Sequence, residues 1–133
     1  MSLMKLTYCL RKRPDLSHEE FYRYWFETHG PLVRERAEIL GIVKYQQVHT
    51  EHNQHRDDAY RARNGGSWET FDGIAEVWVD PSKRPADATP EAIACAGQDL
   101  LDDERRFIDL PNSPMWLGQE RVFVDRTATE PVD

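Results

Sequence analysis

The residue of this sequence best suited to acid–base chemistry is His29. An imidazole titrates near neutral pH, so it can exchange a proton with a substrate within hydrogen-bond reach. His29 follows Phe21 and Trp25 at helical spacing, so on a helix it borders an apolar stripe. Gly30 and Pro31 come next, and proline cannot continue a helical hydrogen-bond ladder. We predict that His29 is catalytic, in an apolar pocket between a helix and a sheet. The alternative is a structural histidine bonded to a backbone carbonyl that Pro31 leaves free.

Glu76 is the second candidate for a catalytic role. Alternation along its segment puts Glu76 on the same face of a strand as Ile74 and Trp78. We expect this strand to be central in the sheet, where desolvation would raise the pKa of a carboxyl group. Such a group could hold or deliver a proton near neutral pH. The alternative is an architectural ion pair with an arginine of a neighbouring element, such as Arg11.

Several aromatic side chains are candidates for binding a flat substrate. They could line a pocket for an aromatic or polyketide-like ligand, and tyrosine phenols could also steer a proton or polarise a carbonyl. Aromatic residues at helical or strand spacing also occur in ordinary cores, so both interpretations stay open. The predicted substrate-binding residues are Tyr8, Tyr24, Trp25, Tyr45 and Trp78.

Three histidines recur at every third position, at His49, His52 and His55, with two aspartates close behind. Imidazoles and carboxylates are ligands for zinc and iron, so a metal site is one interpretation. This spacing in a loop matches no metal signature, however. We predict that these histidines face water and that the chain has no metal site. The two cysteines, Cys9 and Cys95, lie far apart and are predicted to be small core residues.

Length and composition exclude several classes of protein. The chain has 133 residues, which predicts a single domain over residues 1–133. Its 17 basic and 24 acidic residues give a net charge of −7, which argues against nucleic-acid binding. No apolar run is long enough to span a membrane, and no signal-peptide pattern opens the chain. We therefore expect a cytoplasmic protein that binds no nucleic acid and no membrane. No phosphate-binding loop, dinucleotide-binding glycine pattern or nucleophile elbow is present, so we predict no cofactor.

Hydrophobic periodicity and turn signals predict the order strand, helix, strand, strand, helix, strand. This order predicts an α+β, ferredoxin-like βαββαβ fold, with an antiparallel four-stranded sheet and both helices on one face. Apolar residues occur on both alternating sets of the strands, so the open face should meet a second copy in a homodimer. The predicted elements are a strand around 6–10, a helix from 17 to 41 that bends at 30–31, strands at 42–50 and 71–79, a helix from 89 to 107, and a strand at 119–125.

Polar segments connect these elements. The predicted core runs from about residue 4 to 125, and the polar tail 126–133 should be frayed. Residues 51–70 are expected to form a long loop, either a lid or disordered. The acidic stretch 99–109 is expected to be the solvated outer face of the second helix. Asp72 and Gly73 are typical of a turn and should shape the entry to a strand.

Three sequence blocks resemble the EthD family, which is named for a gene cluster of ethyl tert-butyl ether degradation. The first block runs from Leu16 through Tyr24-Trp25 to the segment His29–Val33, the second is Phe71–Trp78, and the third is Asp103–Asp109. The resemblance covers about residues 6–124. It implies a dimeric α+β barrel in which each subunit has a ferredoxin-like fold. Similar barrels include polyketide dehydratases, decarboxylases, cofactor-free monooxygenases and proteins without a known reaction.

Together these features predict a small cofactor-independent enzyme of the lyase or isomerase type. It would carry out dehydration, decarboxylation or isomerisation of a hydrophobic aromatic or polyketide-like carbonyl compound in a catabolic or secondary-metabolic pathway. His29 would move the proton and Glu76 would tune or relay it. Two alternatives stay open: a non-catalytic binding or accessory protein for a hydrophobic metabolite, and a cofactor-free monooxygenase on the same fold.

Overall fold

The structure is a computed structural model that describes residues 3–127. Within these residues no helix is both long enough and apolar enough to cross a membrane. A π-helical turn, Trp25–His29, joins the first two helices. The strands are β1 (Met4–Leu10), β2 (Ile42–His49), β3 (Gly73–Val79) and β4 (Met115–Gly118), and the helices are α1 (His18–Tyr24), α2 (Gly30–Leu40), α3 (Gln54–Asn64) and α4 (Pro90–Glu104).

The four strands form one antiparallel sheet in the order β2-β3-β1-β4. This is the predicted α+β, ferredoxin-like arrangement. The register places Thr7 of β1 opposite both Glu76 of β3 and Trp116 of β4. Because side chains alternate along a strand, these three residues share one face of the sheet. The other face carries Tyr8 and packs against the helices.

Local sequence signals explain how the first helical segment begins and ends. Ser17 caps α1, with its hydroxyl accepting from the Glu20 backbone N–H while the Glu20 side chain accepts from the Ser17 N–H, as the capping box predicts. Pro31 lies in the first turn of α2, where a missing N–H costs little. Gly41 ends α2 with φ 73°, in the left-handed region that favours glycine. The predicted bend before Pro31 is therefore a π-helical turn rather than an end to the helix.

The core lies between the sheet and the helices. Its largest fully buried side chains are Trp25, Phe21, Phe107 and Leu10. Phe21 packs against both Trp25 and Phe107, with ring centroids 5.6 and 5.7 Å apart. The helical stripe identified in the sequence thus forms the centre of the domain.

Gly73 allows an unusually close approach of helix and sheet. A Cβ atom at this position would lie 2.5 Å from Cζ3 of Trp25 and 2.6 Å from the backbone oxygen of Val48. No side chain fits in that space. Gly73 therefore lets the Trp25 ring lie directly on β3.

The expectation that residues 51–70 form a loop without structure of its own is wrong. They contain α3, whose N-cap is Asn53. The Arg11 guanidinium donates to the backbone oxygens of Glu69 and Thr70, which ties the far end of the segment to the residue that follows β1. The sequence did not predict this helix because its composition is polar and it has no apolar stripe. Such a stripe is absent because α3 buries none of its residues.

The predicted last strand at 119–125 is also wrong, because β4 ends at Gly118. Lys5 pairs with Gly118, and β1 begins at Met4, so only one residue of β1 remains beyond this pair. Of the predicted tail at 126–133, residues 128–133 lie outside the described part of the chain.

Candidate functional site

A cavity of about 240 Å³ lies between the helices and the helix-facing side of the sheet. Leucine, isoleucine, valine and other apolar side chains make up most of its wall. Such a lining suits a hydrophobic ligand, and a few polar groups would fix its orientation. The polar or titratable side chains of the wall are Tyr8, Trp25, His29, Tyr45 and Glu104.

His29 is held in this wall by the π-helical turn and by a carboxylate. Its side chain is buried, and Nδ1 lies 2.8 Å from Oδ2 of Asp103. A carboxylate only accepts, so Nδ1 carries the proton and Nε2 has the free lone pair. Burial lowers the pKa of His29, while the hydrogen bond and charge of Asp103 act in the opposite direction. The imidazole is therefore neutral at pH 7, the state in which it can act as a base. Its partner is a carboxylate and not a carbonyl freed by Pro31.

Asp103 is fixed by a second donor. The hydroxyl of Tyr24 donates to Oδ1 at 2.5 Å, while His29 occupies Oδ2. Burial raises the pKa of Tyr24, and its bond to Asp103 raises it further, so the phenol keeps its proton. With both oxygens engaged, Asp103 holds His29 in one tautomer and one orientation.

Glu104, the next residue of α4, lines the cavity itself. Burial raises the pKa of its carboxyl group to about 7, and the charge of Asp103 adds to this, while a hydrogen bond with Tyr8 opposes it. Burial and the neighbouring Glu104 also raise the pKa of the Tyr8 phenol. A carboxyl group with a pKa near neutral can either give or take a proton at physiological pH.

Tyr45 offers a further hydrogen-bond donor in the cavity wall. Its hydroxyl accepts from Nε2 of Gln47 at 2.9 Å, which leaves its own proton free to be donated. Burial raises the pKa of Tyr45, so the phenol is neutral. The buried indole N–H of Trp25 faces this hydroxyl without completing a hydrogen bond to it. A ligand oxygen at this point would find two donors.

The structure brings some of the predicted site residues together and separates others. Tyr8, Trp25 and Tyr45 line the cavity with His29. Tyr24 acts on the cavity only through its bond to Asp103.

Glu76 and Trp78 lie on the opposite face of the sheet. Glu76 forms an ion pair with Lys5 and accepts from Nε2 of Gln46 at 2.8 Å. Burial would raise its pKa, but the bonds from Lys5 and Gln46 outweigh that effect and lower it. Trp78 lies between Lys5 and Lys44, whose ammonium groups are 5.0 and 4.4 Å from its ring centroid. Glu76 therefore cannot relay a proton to His29, and its ion-pair partner is Lys5 rather than Arg11.

Two functional candidates, Asp103 and Glu104, were missed because the stretch 99–109 was expected to be solvated. Asp103 is in fact buried, and Glu104 faces the cavity. Helical spacing along α4 could have shown that both residues face the interior. Asp103 lies two turns after Ala96, which is buried, and Glu104 lies one turn after Leu100, which also lines the cavity.

The three loop histidines do not converge. His49 stacks on Trp25, with ring centroids 4.6 Å apart, His52 lies beside Asp72, and His55 is an exposed residue of α3. Cys9 is buried as expected, whereas Cys95 is exposed.

Known proteins resemble this chain in sequence pattern and in fold. A sequence model of the EthD domain matches residues 13–111. A comparison with curated proteins finds no match. An EthD family protein from Bacillus halodurans C-125 is 17% identical, with a TM-score of 0.54 over 90% of this chain and 100% of that chain.

Two further solved structures are similar. An EthD-like protein from Ralstonia eutropha JMP134 is 15% identical, with a TM-score of 0.48 over 96% of this chain and 97% of that one. A protein from Bacteroides fragilis, described as dimeric with a ferredoxin-like fold, is 13% identical, with a TM-score of 0.45 over 89% and 96%. At these identities the structures concern the fold alone. The domain match covers most of the sequence, and the chain therefore belongs to the EthD family.

Proposed function

We propose that this protein is a small cofactor-independent enzyme that performs acid–base chemistry on a hydrophobic carbonyl compound, by dehydration, decarboxylation or isomerisation. The observation that supports it best is the buried bond between His29 and Asp103, at the wall of an apolar cavity. A second proton carrier, Glu104, with a pKa of about 7, lines the same cavity. Paired groups of this kind are typical of sites that remove a proton at one atom and deliver it at another.

In the proposed dehydration, each group has one task. Nε2 of His29 takes a proton from the carbon next to the substrate carbonyl, and Asp103 stabilises the imidazolium that forms. Tyr45 and the indole N–H of Trp25 donate to the carbonyl oxygen as it gains negative charge. Protonated Glu104 gives its proton to the leaving hydroxyl, which departs as water while the carbon–carbon double bond forms. A proton passes from His29 to Glu104 through solvent, and both return to their starting states.

Cavity size limits the substrate. At about 240 Å³, the cavity is smaller than the roughly 300 Å³ at which binding sites for drug-sized ligands begin. A one-ring or two-ring ketone fits a cavity of this volume, whereas an extended polyketide does not. We therefore propose a small cyclic carbonyl compound as the substrate, in a catabolic or secondary-metabolic pathway. A cytoplasmic location stays part of this proposal on the basis of composition.

The proposal can be tested without knowing the natural substrate. The probe is 1-tetralone, a two-ring ketone, in deuterated buffer, and proton NMR follows the loss of its α-proton signal. We expect the wild type to accelerate this exchange above the buffer rate, and His29→Ala to lose the acceleration. The carboxyl control is Glu76→Gln, on the opposite face of the sheet, which should exchange like the wild type. Binding of 1-tetralone without exchange that depends on His29 would contradict the proposal.

The apolar lining also favours a second candidate, a non-catalytic protein that binds a hydrophobic metabolite. It predicts that ligands stabilise the wild type and His29→Ala equally, with no reaction in either. A cofactor-free monooxygenase would instead consume oxygen when a reduced aromatic ligand is added, which an oxygen electrode would record.

We also propose that the protein is a homodimer. The sheet face opposite the helices exposes apolar side chains, among them Val48 and Trp116. Phe123, in the segment after β4, is 95% exposed. Exposed apolar side chains on one face favour an interaction surface, and a second copy of the chain is the simplest partner for it.

A further inference from the structure

We propose that His18, His52 and Asp72 form a binding site for a first-row divalent transition-metal ion such as Zn²⁺. One potential ligand atom from each residue lies within 4.8 Å of those from the other two. The three residues come from separate parts of the chain: the first residue of α1, the segment before α3, and the residue before β3. Among the residues that the structure describes, this is the only group of three with such spacing.

The distances fit a metal polyhedron. Nε2 of His18 lies 3.0 Å from Oδ1 of Asp72, and Nε2 of His52 lies 4.0 Å from the same oxygen. A tetrahedral ion with bonds of about 2.0–2.1 Å separates its ligands by roughly 3.4 Å, which falls between these two values. The two imidazole rings are already close, with centroids 4.3 Å apart. Small side-chain rotations would therefore complete the ligand set without moving the backbone.

Asp72 is fixed in advance as the central ligand. Its Oδ2 accepts from the backbone N–H of Lys12 at 2.8 Å, and its own N–H donates to the backbone oxygen of Leu10 at 2.8 Å. Oδ1, the oxygen closest to both histidines, is the one left for a metal. A carboxylate held by outer hydrogen bonds is typical of metal sites, since these bonds set its direction.

Tyr22 holds His52 close to Asp72 in the metal-free state. Its hydroxyl donates to the backbone oxygen of Asp72 at 2.6 Å, so at 2.8 Å it accepts from the Nε2–H of His52. An ion bound at Nε2 of His52 would replace this proton and break that hydrogen bond. Tyr22 is therefore a positioning residue that keeps the imidazole near Oδ1 of Asp72 until an ion binds.

The ligand types select the class of ion. Two imidazoles and one carboxylate suit Zn²⁺, Fe²⁺ or Co²⁺, whereas Mg²⁺ and Ca²⁺ prefer oxygen ligands alone. The side chains of His18 and His52 are 52% and 40% exposed, so an ion can enter from solvent and keep water as its further ligands. The ion would connect the first residue of α1 and the residue before β3 to the segment that leads into α3. It would thus attach α3 to the rest of the domain.

The test measures binding of ZnCl₂ to the untagged protein by titration calorimetry, and of CoCl₂ by visible absorption. We expect one ion per chain, with a dissociation constant for Zn²⁺ of about 10 µM or tighter. Cobalt should give the visible bands of a low-coordinate site that contains nitrogen. His18→Gln and His52→Gln should each weaken binding at least about tenfold, and the double variant should abolish it.

His55→Gln is the matched control, since His55 is an exposed histidine of α3 that is not one of the proposed ligands. It should bind Zn²⁺ like the wild type. Circular dichroism without metal checks that each variant is folded, and Tyr22→Phe, which removes the hydroxyl bonded to Nε2 of His52 but no proposed ligand, should keep a measurable site if the ligand variants fail that check. Weaker binding than about 10 µM by the wild type would overturn the proposal, as would equal binding by the double variant. Catalytic activity does not enter this readout, so the result is independent of the function proposed for the His29 cavity.

Discussion

His29 and Asp103 are 74 positions apart in sequence, yet Nδ1 of the histidine lies 2.8 Å from Oδ2 of the aspartate in the interior of the domain. The histidine comes from the π-helical turn and the aspartate from the last turn of α4. Burying a carboxylate beside an imidazole costs desolvation energy, and a well-formed hydrogen bond offsets only part of that cost. Pairs of this kind occur often where protons are moved.

The first prediction concerns Asp103→Asn. Asp103 raises the pKa of His29 against the effect of burial, so its removal should lower that pKa further. An asparagine also permits the wrong imidazole tautomer, and the His29-dependent exchange of 1-tetralone should fall about a hundredfold or more. NMR titration of the imidazole signals measures the pKa directly. The neighbouring Asp102→Asn, at an exposed carboxylate, is the control and should leave both quantities unchanged.

The second prediction concerns Glu104 and the pH dependence of stability. The folded state raises its pKa from 4.5 to about 7, so the folded protein binds this proton more tightly than the unfolded chain. The quantity to compare is the free energy of unfolding of the wild type minus that of Glu104→Gln. This difference should be highest below about pH 4.5 and should fall as the pH rises to about 7. The whole change should be about 3 kcal/mol. Urea unfolding of both proteins across this range measures it, and a constant difference would contradict the prediction.

The sequence was sufficient to predict the fold because its signals were local and agreed with one another. The capping box at Ser17, the proline at the start of α2 and the glycine that ends it define the first helical segment. The apolar alternation of β3 predicts a central strand, and β3 does pair on both sides. The prediction was wrong for α3, which has cap residues at both ends but no apolar stripe, and for the segment after Gly118.

The candidate site was predicted only in part, because periodicity shows which residues share a face but not which face is buried. Glu76 and Trp78 share one face of β3, yet the cavity lies on the other. Asp103 and Glu104 were assigned to solvent because acidic residues are rarely buried. Their burial depends on partners distant in sequence, Tyr24 and His29 for the first and Tyr8 for the second.

The third prediction is that Gly73→Ala destabilises the domain. The new methyl group would lie 2.5 Å from Trp25 and 2.6 Å from the Val48 backbone, so the ring must move. Overpacking of this kind costs about 1–3 kcal/mol, and the cavity wall formed by Trp25 should shift with it. Thermal unfolding and tryptophan fluorescence report the two effects. As a control, Gly97→Ala adds a methyl group in a helix interior that meets no atom within 4 Å beyond the adjoining helix backbone, and should be neutral or slightly stabilising.

The fourth prediction is that Trp116→Glu converts the proposed homodimer to a monomer. Trp116 is 53% exposed on the sheet face away from the helices, and a carboxylate there could not be buried against a second copy. Light scattering after size-exclusion chromatography measures the mass of wild type and variant. Tyr60→Glu, at an exposed aromatic residue of α3, should leave the mass unchanged. A monomeric wild type at micromolar concentration would exclude the dimer.

The π-helical turn has a consequence for comparing members of the family. In this turn the Gly30 N–H donates to the oxygen of Trp25, five positions earlier, instead of four as in an α-helix. Removing one residue here would restore a regular helix while α1 and α2 keep their positions, since a π-helical turn takes up one extra residue. The side chains within the turn would then point in new directions, and His29 would lose its present position beside Asp103. A relative that is one residue shorter between Trp25 and Pro31 would thus keep the fold but lack the pairing of His29 with Asp103, so the length of this segment indicates whether a relative shares that pairing.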